Sequence, residues 1–420
     1  MIKMKEIKVA TIFFALLLIF INFSFANDEF LSTGKIRPYW VKTFGGSGND
    51  IAKSVDAYGD AIYIVGEVNI SGEKYAFIAK YNERGKLEWN KTLDKDATAS
   101  DLVVYDDNIY VVGTIGKNDK NIFISKVSDS GNILWTKTWG GSSDDVAGGI
   151  AAYNDAIYIC GYTKGFGALQ KDVVLLKYNL NGNITWQKVW GKSGNEEGKD
   201  VAVSNNGIYI VGDTTSYGAG GKDVLLLKFD LNGDFVWTKT WGGDSDDAAT
   251  NIDFSQGNIY VVGYTASYTP HVLILKYDVE GNMLFERRWG GSNDDVANGV
   301  RVGNAIYIVG ETKSYGREGD IFLLKYSLEG NLQFAKTWGG KGEDAAYDID
   351  INNDKIYIVG YTKSYGKGGK DAFLLKCNLN GRKSLAIEEV TIITNNKLYI
   401  CGREIISIAT SSPKSTSLTL

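Results

Sequence analysis

Histidine, cysteine, proline and methionine are all scarce in this chain, and each shortage narrows what the protein can do. His271 is the single histidine among 420 residues. One imidazole excludes histidine-based metal clusters and argues against a Ser-His-Asp triad. We therefore predict no metal site and assign no catalytic residue.

The three cysteines, Cys160, Cys377 and Cys401, form an odd count, which argues against a disulfide framework. Cys160 and Cys401 stand where matching segments have valine, so we expect them to be small apolar core residues. The three prolines, set against 50 glycines, suit many short strands joined by glycine turns.

A basic cluster is also missing, and the formal net charge is −5. Nothing in the sequence could neutralise a run of phosphates, so we expect no nucleic-acid partner.

The first 26 residues have the pattern of a signal peptide. Lys3, Lys5 and Lys8 precede an apolar run over residues 9–23, and small residues follow at Ser24 and Ala26. The alternative is an uncleaved membrane anchor, because the run approaches the lower length for a span. After cleavage no apolar stretch reaches spanning length. We therefore predict a protein that is secreted or held at the extracytoplasmic cell surface, as a monomer.

What the sequence does contain is a repeat built on Trp-Thr-Lys-Thr-Trp-Gly-Gly at residues 237–243. It recurs at 135–141 and, with Phe in place of the first Trp, at 334–340. Looser copies begin at Trp40, Trp89, Trp186 and Phe285. Copies that stand roughly 50 residues apart are the signature of a solenoid, a propeller or an array. The two rings of a Trp pair spaced by four lie on one side of a strand, and we expect them to wedge between neighbouring units.

Each unit contains four short runs with strand character, and the second and third are almost continuously apolar. Residues 208–212 and 225–229 are examples. Such runs predict strands buried on both faces. Four-stranded sheets repeated around an axis provide that burial, so we predict an all-β β-propeller of four-stranded blades. An open stack is the alternative, but it would need polar caps that the ends lack.

The two ends of the repeat region are incomplete in complementary ways. Residues 36–44 form a fourth-strand copy with no first three strands, whereas residues 390–395, 397–402 and 405–410 form three strands with no fourth. Together they would complete one blade and remove a free sheet edge. This favours eight blades, with the N-terminal strand completing the last one. The runner-up is seven blades, with Trp40 closing the unit of Gly360 and the residues after 380 outside the ring.

The predicted organisation is a signal peptide at 1–26, a short linker at 27–35, a single propeller domain at 36–410 and a polar, disordered tail at 411–420. Within each blade, tight Asn- and Gly-rich turns would lie on one face. The longer connections, from second to third strand and from one blade to the next, would share the opposite face. We name this the long-loop face and expect function there.

Aromatic residues recur in the loops between second and third strands, several of them as Ser-Tyr-Gly. Rings with a polar tip suit contact with a sugar or a peptide, but each could instead cover the end of the neighbouring blade. The candidate binding residues are Tyr162, Phe166, Tyr217, Tyr268, Tyr315 and Tyr365.

The blade-to-blade connections carry acidic pairs such as Asp246-Asp247 and Asp294-Asp295. Carboxylates after Gly-Gly-Ser commonly accept hydrogen bonds from nearby main-chain amides and so fix a turn. Calcium binding is the alternative. The pairs are spread around a ring, one to a blade, and do not converge on one ion, so we predict structural turns.

Residues 228–233 followed by Trp237 resemble the tryptophan-docking repeat of the quinoprotein-type eight-bladed propellers. The whole unit is even more similar to the β-propeller repeats of exported bacterial and archaeal proteins of unassigned role. The resemblance covers residues 36–410 and implies the fold. In the quinoprotein enzymes the cofactor pocket goes with two adjacent cysteines. The cysteines here are not adjacent, so we expect no cofactor.

These observations predict a non-catalytic binding or scaffold module whose long-loop face engages a protein or polysaccharide partner. The alternative is a propeller enzyme, either a quinoprotein-like oxidoreductase or a carbohydrate-active enzyme, since a glycosidase working through two carboxylates needs no histidine.

Overall fold

The computed structural model describes residues 32–381, apart from positions 270 and 317, and the backbone of three short strands after residue 390. The chain divides into two compact units, Met1–Arg382 and Lys383–Leu420. The predicted signal peptide, the tail at 411–420 and Cys401 lie outside the described residues. The predicted boundary of the propeller domain at 410 differs from that of the first compact unit, which ends at Arg382.

The strands of the first unit follow one another in seven sets. Two strands precede the first full set: β1 (Ser32–Lys35) and β2 (Trp40–Phe44). Blade 1 has β3 (Ile51–Tyr58), β4 (Ala61–Ile70), β5 (Glu73–Asn82) and β6 (Leu87–Lys95). Blade 2 has β7 (Ala97–Tyr105), β8 (Asn108–Ile115), β9 (Asn121–Ser128) and β10 (Ile133–Trp139). Blade 3 has β11 (Asp145–Tyr153), β12 (Ala156–Thr163), β13 (Asp172–Asn179) and β14 (Ile184–Trp190).

The remaining blades follow the same plan. Blade 4 has β15 (Glu196–Ser204), β16 (Gly207–Thr214), β17 (Asp223–Phe229) and β18 (Phe235–Trp241). Blade 5 has β19 (Asp247–Ser255), β20 (Asn258–Thr265), β21 (Val272–Asp278) and β22 (Met283–Trp289). Blade 6 has β23 (Asp295–Val302), β24 (Ile306–Thr312), β25 (Asp320–Tyr326) and β26 (Leu332–Trp338). Blade 7 has β27 (Asp344–Asn352), β28 (Lys355–Thr362) and β29 (Asp371–Asn378), and its outer strand is β2.

Each blade is an antiparallel sheet in which consecutive strands pair, and the first strand lies innermost. The predicted all-β propeller of four-stranded blades is therefore confirmed. The middle strands are buried on both faces, as their continuous apolar runs predict; every residue of β16 is buried. Apolar clusters join neighbouring blades. Tyr209 and Val211 of blade 4, for example, pack with Ile252 and Leu275 of blade 5.

The preferred count of eight blades is wrong, and the runner-up of seven is right for the residues that the structure describes. Strand β2 pairs antiparallel with β29, placing Trp40 opposite Lys376 and Phe44 opposite Ala372. Blade 7 also packs against blade 1, so Tyr357 shares an apolar cluster with Ile62. The N-terminal strand thus completes a blade and closes the ring, but in the unit of Gly360.

The physical reason for the error lies in the two candidate partners of β29. Residues 383–388, which would be the fourth strand of an unclosed blade 7, contain no aromatic residue. Strand β2 carries Trp40, whose ring lies 6.4 Å from that of Tyr357 and whose Nε1 donates a hydrogen bond to Glu83 of blade 1. The strand with the ring completes the blade. The second unit is a separate three-stranded sheet of β30 (Thr391–Ile393), β31 (Lys397–Ile400) and β32 (Arg403–Ser407).

The predicted linker at 27–35 contains β1, which pairs parallel with β26 at the outer edge of blade 6. Lys35 forms an ion pair with Asp320 of that blade at 3.0 Å. An added edge strand satisfies main-chain groups of β26 that would otherwise face solvent.

The face that carries the tight turns holds a repeated clasp between blades. In blade 3, Lys177 lies over the rings of Tyr158 and Trp186 and donates a hydrogen bond to the carbonyl of Leu231 in the next blade at 3.3 Å. The Trp186 ring packs under Gly233 of the same turn, where φ is +83°. Glycine is needed because a Cβ there would lie 3.0 Å from the indole. The prediction that the first Trp wedges between units is confirmed.

Candidate binding face

The long-loop face is built from two sets of connections, those between second and third strands and those that lead from one blade to the next. The aromatic residues of the first set meet the second Trp of the preceding blade. Five such ring pairs occur among the described residues. Their centroid distances are 4.6 Å for Trp139–Phe166, 5.2 Å for Trp190–Tyr217, 5.6 Å for Trp241–Tyr268, 5.0 Å for Trp289–Tyr315 and 5.0 Å for Trp338–Tyr365.

These rings cover the neighbouring blade and face solvent at the same time. Four of them are exposed to similar degrees: Phe166 by 47%, Tyr268 by 43%, Tyr315 by 44% and Tyr365 by 46%; Tyr217 is half-buried. Of the two roles that the sequence left open, covering the adjacent blade is present in the geometry, and a half-exposed ring remains free to contact a ligand on its other side.

Each ring is held by a network of polar contacts at the base of its loop. In blade 6, Asp295 accepts hydrogen bonds from the amide of Gly291 at 2.9 Å and from the hydroxyls of Thr312 at 2.5 Å and Ser314 at 2.7 Å. The Tyr315 amide donates to Thr312 at 3.0 Å. One buried carboxylate thus fixes both the blade-to-blade turn and the aromatic loop.

The phenol groups of two rings add a contact of their own. Tyr315 donates a hydrogen bond to the carbonyl of Gly290 at 3.0 Å, and Tyr365 donates to that of Gly339 at 3.3 Å. Both acceptors are the first glycine after the second Trp. The ring orientation is therefore set from two sides, which preorganises the surface.

The two members of an acidic pair have different environments. In Asp246-Asp247 and Asp294-Asp295 the second member is the buried hub, and its predicted role in fixing a turn is confirmed: Asp247 accepts a hydrogen bond from the Gly243 amide at 2.8 Å. The first member of these two pairs is exposed, and Asp294 forms an ion pair with Lys313 of the adjacent loop at 3.1 Å. In Glu196-Glu197 the order is reversed, because the first member is the hub and accepts a hydrogen bond from the Lys192 amide at 2.8 Å. In the described part of the chain, no group of three or more His, Cys, Asp or Glu residues is arranged to hold a metal ion.

Tyr162 lies apart from the five stacked rings. The Nζ of Lys171 sits 4.6 Å from its ring centroid, and Lys171 forms an ion pair with Glu197 at 2.5 Å. Glu197 also pairs with Lys199, which lies 3.7 Å from Asp213. These lysines hold the pKa of Glu197 at about 2 against the opposing effect of burial. Tyr162 therefore belongs to a charged network across blades 3 and 4.

The first strands enclose a central channel that the sequence reasoning missed. Five polar side chains form a ring within it and line both a cavity of about 490 Å³ toward the long-loop face and one of about 230 Å³ beyond it. The ring consists of Ser54, Asp101, Asp200, Asn251 and Asp348.

The four acidic and amide members of this ring tie blades 2, 4, 5 and 7 to the blade that follows each of them. Each accepts a hydrogen bond from a main-chain amide of the following blade: Asp101 from Ile150 at 2.9 Å, Asp200 from Ile252 at 3.1 Å, Asn251 from Val300 at 2.9 Å and Asp348 from Val55 at 2.9 Å. The available sequence signal was an Asp or Asn at one register position of several first strands. Single residues one repeat apart gave no reason to look for it.

Burial makes these carboxylates reluctant to ionise. It raises the pKa of Asp348 to about 7, with Asp101 adding to the effect, and it raises the pKa of Asp101 and Asp200 as well. One layer further, burial and the neighbouring Asp350 raise the pKa of Asp56 to about 7. The guanidinium of Arg301 contacts Asp350 at 2.7 Å and supplies a compensating charge.

The residues considered for other chemistry have ordinary surroundings. His271 is half-buried, and its Nδ1 lies 2.7 Å from the carbonyl of Asn293. Cys160 and Cys377 are buried free thiols; burial raises the pKa of both, that of Cys377 to about 12. The expectation that Cys160 is a core residue is confirmed. Among the residues that the structure describes, there is no helix long and apolar enough to cross a membrane.

Comparisons with known proteins support the β-propeller fold and do not identify a function. No protein-family model matches the chain. The regulatory protein FlaEY of Caulobacter vibrioides is 29% identical over 116 residues, a match that takes in 24% of this chain and 12% of that protein. The chain thus matches only a small fraction of that relative's length.

Two solved structures share the architecture. The WD40 β-propeller domain of Doa1 gives a TM-score of 0.51 at 12% identity and covers 82% of this chain and 98% of its own. The polysaccharide lyase Uly1 gives a TM-score of 0.50 at 12% identity and covers 83% of this chain and 97% of its own. At this identity the likeness shows the fold alone: the chain is a β-propeller.

Proposed function

We propose that this protein is an exported, non-catalytic binding or scaffold module, monomeric and secreted or held at the extracytoplasmic cell surface, whose long-loop face engages a protein or polysaccharide partner. The observation that carries the proposal is the row of five ring pairs over successive blades. Each presents a half-exposed aromatic ring whose orientation is fixed from below.

Several physical features of this face suit recognition. Aromatic rings offer a large contact area at low entropic cost, and those with a phenol add a hydrogen-bonding tip. Their fixed loops lower the entropy lost on binding. Exposed lysines and carboxylates such as Lys313 and Asp294 surround the rings, as in the polar rim of an interface.

The export part of the proposal is supported by the sequence pattern of residues 1–26. An N-terminal sequencing experiment on the protein recovered from its native producer tests it. Cleavage after Ala26 is the expected result, and a native N-terminus at Met1 would contradict it.

The partner face is tested by changing three of its rings together. Tyr217→Ala, Tyr315→Ala and Tyr365→Ala in one chain should abolish binding on a glycan array and in pull-down assays from the native environment. The matched control changes Tyr58, Tyr105 and Tyr153 to Ala; these end first strands on the opposite face. If the first triple variant binds as the unchanged protein does, the long-loop face is not the site. The competing enzyme class would be supported by quinone-stimulated dye reduction or by turnover on a polysaccharide panel.

A further inference from the structure

The contact between blade 7 and blade 1 lacks both rings that the five stacked contacts have. Phe44 stands where blades 2 to 6 have the second Trp, so its side chain is smaller and has no N–H. Strands β4 and β5 of blade 1 are joined by the tight turn Ser71-Gly72 instead of an aromatic loop. Ala79 also replaces the leucine that stands at the equivalent position of blade 6, Leu324.

These three differences leave an open cleft of about 510 Å³ between the blades. Phe44 and Phe77 form part of its wall, with their ring centroids 4.9 Å apart. At the contact between blades 5 and 6 the equivalent pair is Trp289 and Phe322, also 4.9 Å apart, and there the ring of Tyr315 also lies against the indole, at 5.0 Å. The cleft thus occupies the place where the repeat elsewhere puts its own ring.

The polar groups around the cleft are those that hold rings elsewhere in the molecule. Asn90 lines the cleft at the position of Gln187 and Glu286. Those two side chains accept the indole N–H of Trp139 at 2.9 Å and of Trp241 at 3.1 Å.

A main-chain acceptor is repeated in the same way. The carbonyls of Gly290 and Gly339 accept the phenol hydroxyls of Tyr315 and Tyr365. Gly45 is the equivalent glycine after Phe44, and it lines the cleft. An aromatic wall, a residue with a side-chain acceptor and a residue with a main-chain acceptor therefore line a single concave site.

We propose that this cleft binds one aromatic ring that carries an N–H or O–H donor, supplied by a tryptophan or tyrosine side chain of a partner protein. The chain itself supplies the precedent, because four of its own contacts place a tyrosine ring, and a fifth places Phe166, against the equivalent structural elements. The cleft lies on the long-loop face, so the inference goes with the proposed function, but it uses none of the five stacked rings and each proposal can fail without the other.

The chemistry separates this occupant from a purely apolar one. A phenylalanine ring would fill the same volume but would leave Asn90 unpaired once water is displaced. A ring with a donor satisfies it. The cleft should therefore prefer tryptophan and tyrosine over phenylalanine, and that preference should depend on Asn90.

In the test, the intact protein is titrated with N-acetyl-tryptophanamide, N-acetyl-tyrosinamide and N-acetyl-phenylalaninamide. Binding is measured by saturation-transfer NMR and calorimetry. Single amino-acid amides are small, so we expect dissociation constants of about 0.1–10 mM. The first two should bind at least about five times more tightly than the third, which corresponds to one hydrogen bond. The highest probe concentration is about 10 mM, the upper end of the expected range of dissociation constants. If neither the tryptophan nor the tyrosine probe binds at that concentration, the proposal is overturned.

Two sets of variants keep the result tied to the cleft. Phe44→Trp with Ala79→Leu restores residues found at the equivalent positions of blades 5 and 6, so it should fold and should weaken binding at least about tenfold by filling the site. Asn90→Leu should remove the preference over phenylalanine, whereas Asn90→Gln, which places in blade 1 the residue found in blade 3, should keep it. Unchanged binding by the filled variant, or an unchanged preference in Asn90→Leu, would contradict the proposal.

Discussion

Five successive contacts join blades 2 to 7, and one contact between blade 7 and blade 1 closes the ring. The two kinds of contact pack the same repeat in different ways. In the first group the second Trp of one blade meets an aromatic ring of the next, so the chain fills its own outer contact. At the closure, Phe44 and a two-residue turn replace both rings, and a cleft of about 510 Å³ remains. The difference shows that the repeat pattern determines the four-stranded blade. The residues at the second-Trp position and in the loop between second and third strands determine whether a contact is filled or open.

The contacts on the tight-turn face and in the channel change much less from blade to blade. The clasp of lysine, tyrosine and the next blade's turn is present at the closure as well, where Lys376 lies over the Tyr357 ring and donates to the carbonyl of Glu83 at 2.8 Å. The channel carboxylate is also present, since Asp348 accepts from Val55. The ring is therefore closed firmly near its axis and on the tight-turn face, and it is left open at the rim of the long-loop face.

The largest expected effect compares the two kinds of outer contact directly. Trp241→Ala should lower the free energy of unfolding by about 3–5 kcal/mol, because it removes a well-packed ring and the hydrogen bond to Glu286. Phe44→Ala should cost less, about 2–3 kcal/mol, because its ring already borders an open cleft. Urea unfolding of both variants measures this. Equal losses would show that the closure is packed as tightly as the other contacts.

A smaller effect is expected from two glycines with nearly the same backbone conformation. Gly233 has φ +83° beneath Trp186, and Gly72 has φ +89° in the blade 1 turn with nothing near its missing Cβ. Gly72→Ala should cost about 1–2 kcal/mol for the left-handed conformation alone. Gly233→Ala should cost about 1 kcal/mol more, because its Cβ also meets the indole and the Lys188 side chain. The denaturant midpoints of the two variants measure these losses of unfolding free energy. If Gly72→Ala loses as much as Gly233→Ala, the contact of Gly233 with the clasp does not contribute to stability.

The last effect concerns pH and the channel. A carboxyl whose pKa is raised on folding binds its proton more tightly in the folded state, so its contribution to stability is present at low pH and is lost as the pH rises through the folded value. For Asp56 and Asp348 this window extends from about 4 to about 7. The lowered pKa of Glu197 acts below about 4.5 and leaves that window undisturbed.

The melting temperature should therefore fall between pH 5 and pH 7.5, and Asp348→Asn should reduce the fall. Blade 5 supplies the precedent, since Asn251 occupies the same place and accepts the Val300 amide through its side-chain oxygen. The Asp294→Asn variant, at an exposed carboxylate, is the control and should leave the pH dependence as it was. A melting temperature that rises through this range would contradict the assignment of raised pKa values.

Much of the fold could be predicted because the same pattern of strands and turns recurs in successive units of the sequence. The apolar runs at 208–212 and 225–229 lie within β16 and β17, and the Asn-Gly turns fall where the strands reverse. The closing strand was also recognised, but its correct partner was named only in the runner-up. Residues 397–402 resemble a second strand well enough to suggest an eighth blade, and the periodicity alone does not say which three strands the Trp40 strand joins.

The site was predictable in part. The aromatic loop residues were found by their recurrence, and Tyr162 was grouped with them although it belongs to a charged network. The channel ring and the cleft were missed for opposite reasons. Asp101 and Asp348 are single residues far apart in sequence, and only ring closure brings them together. The cleft arises from residues that depart from the repeat, such as Phe44 and Ala79, and a search for repetition passes over them.

Amide hydrogen exchange over residues 40–44 tests the seven-bladed closure most directly, when the complete chain is compared with one that ends at Arg382. If β2 is the outer strand of blade 7, the amides in this segment that bond to β29, which alternate along the strand, are protected and remain equally protected in the shortened chain. If protection at 40–44 disappears with residues 383–420, the strand belongs to an eighth blade, and both the closure and the cleft beside it are wrong.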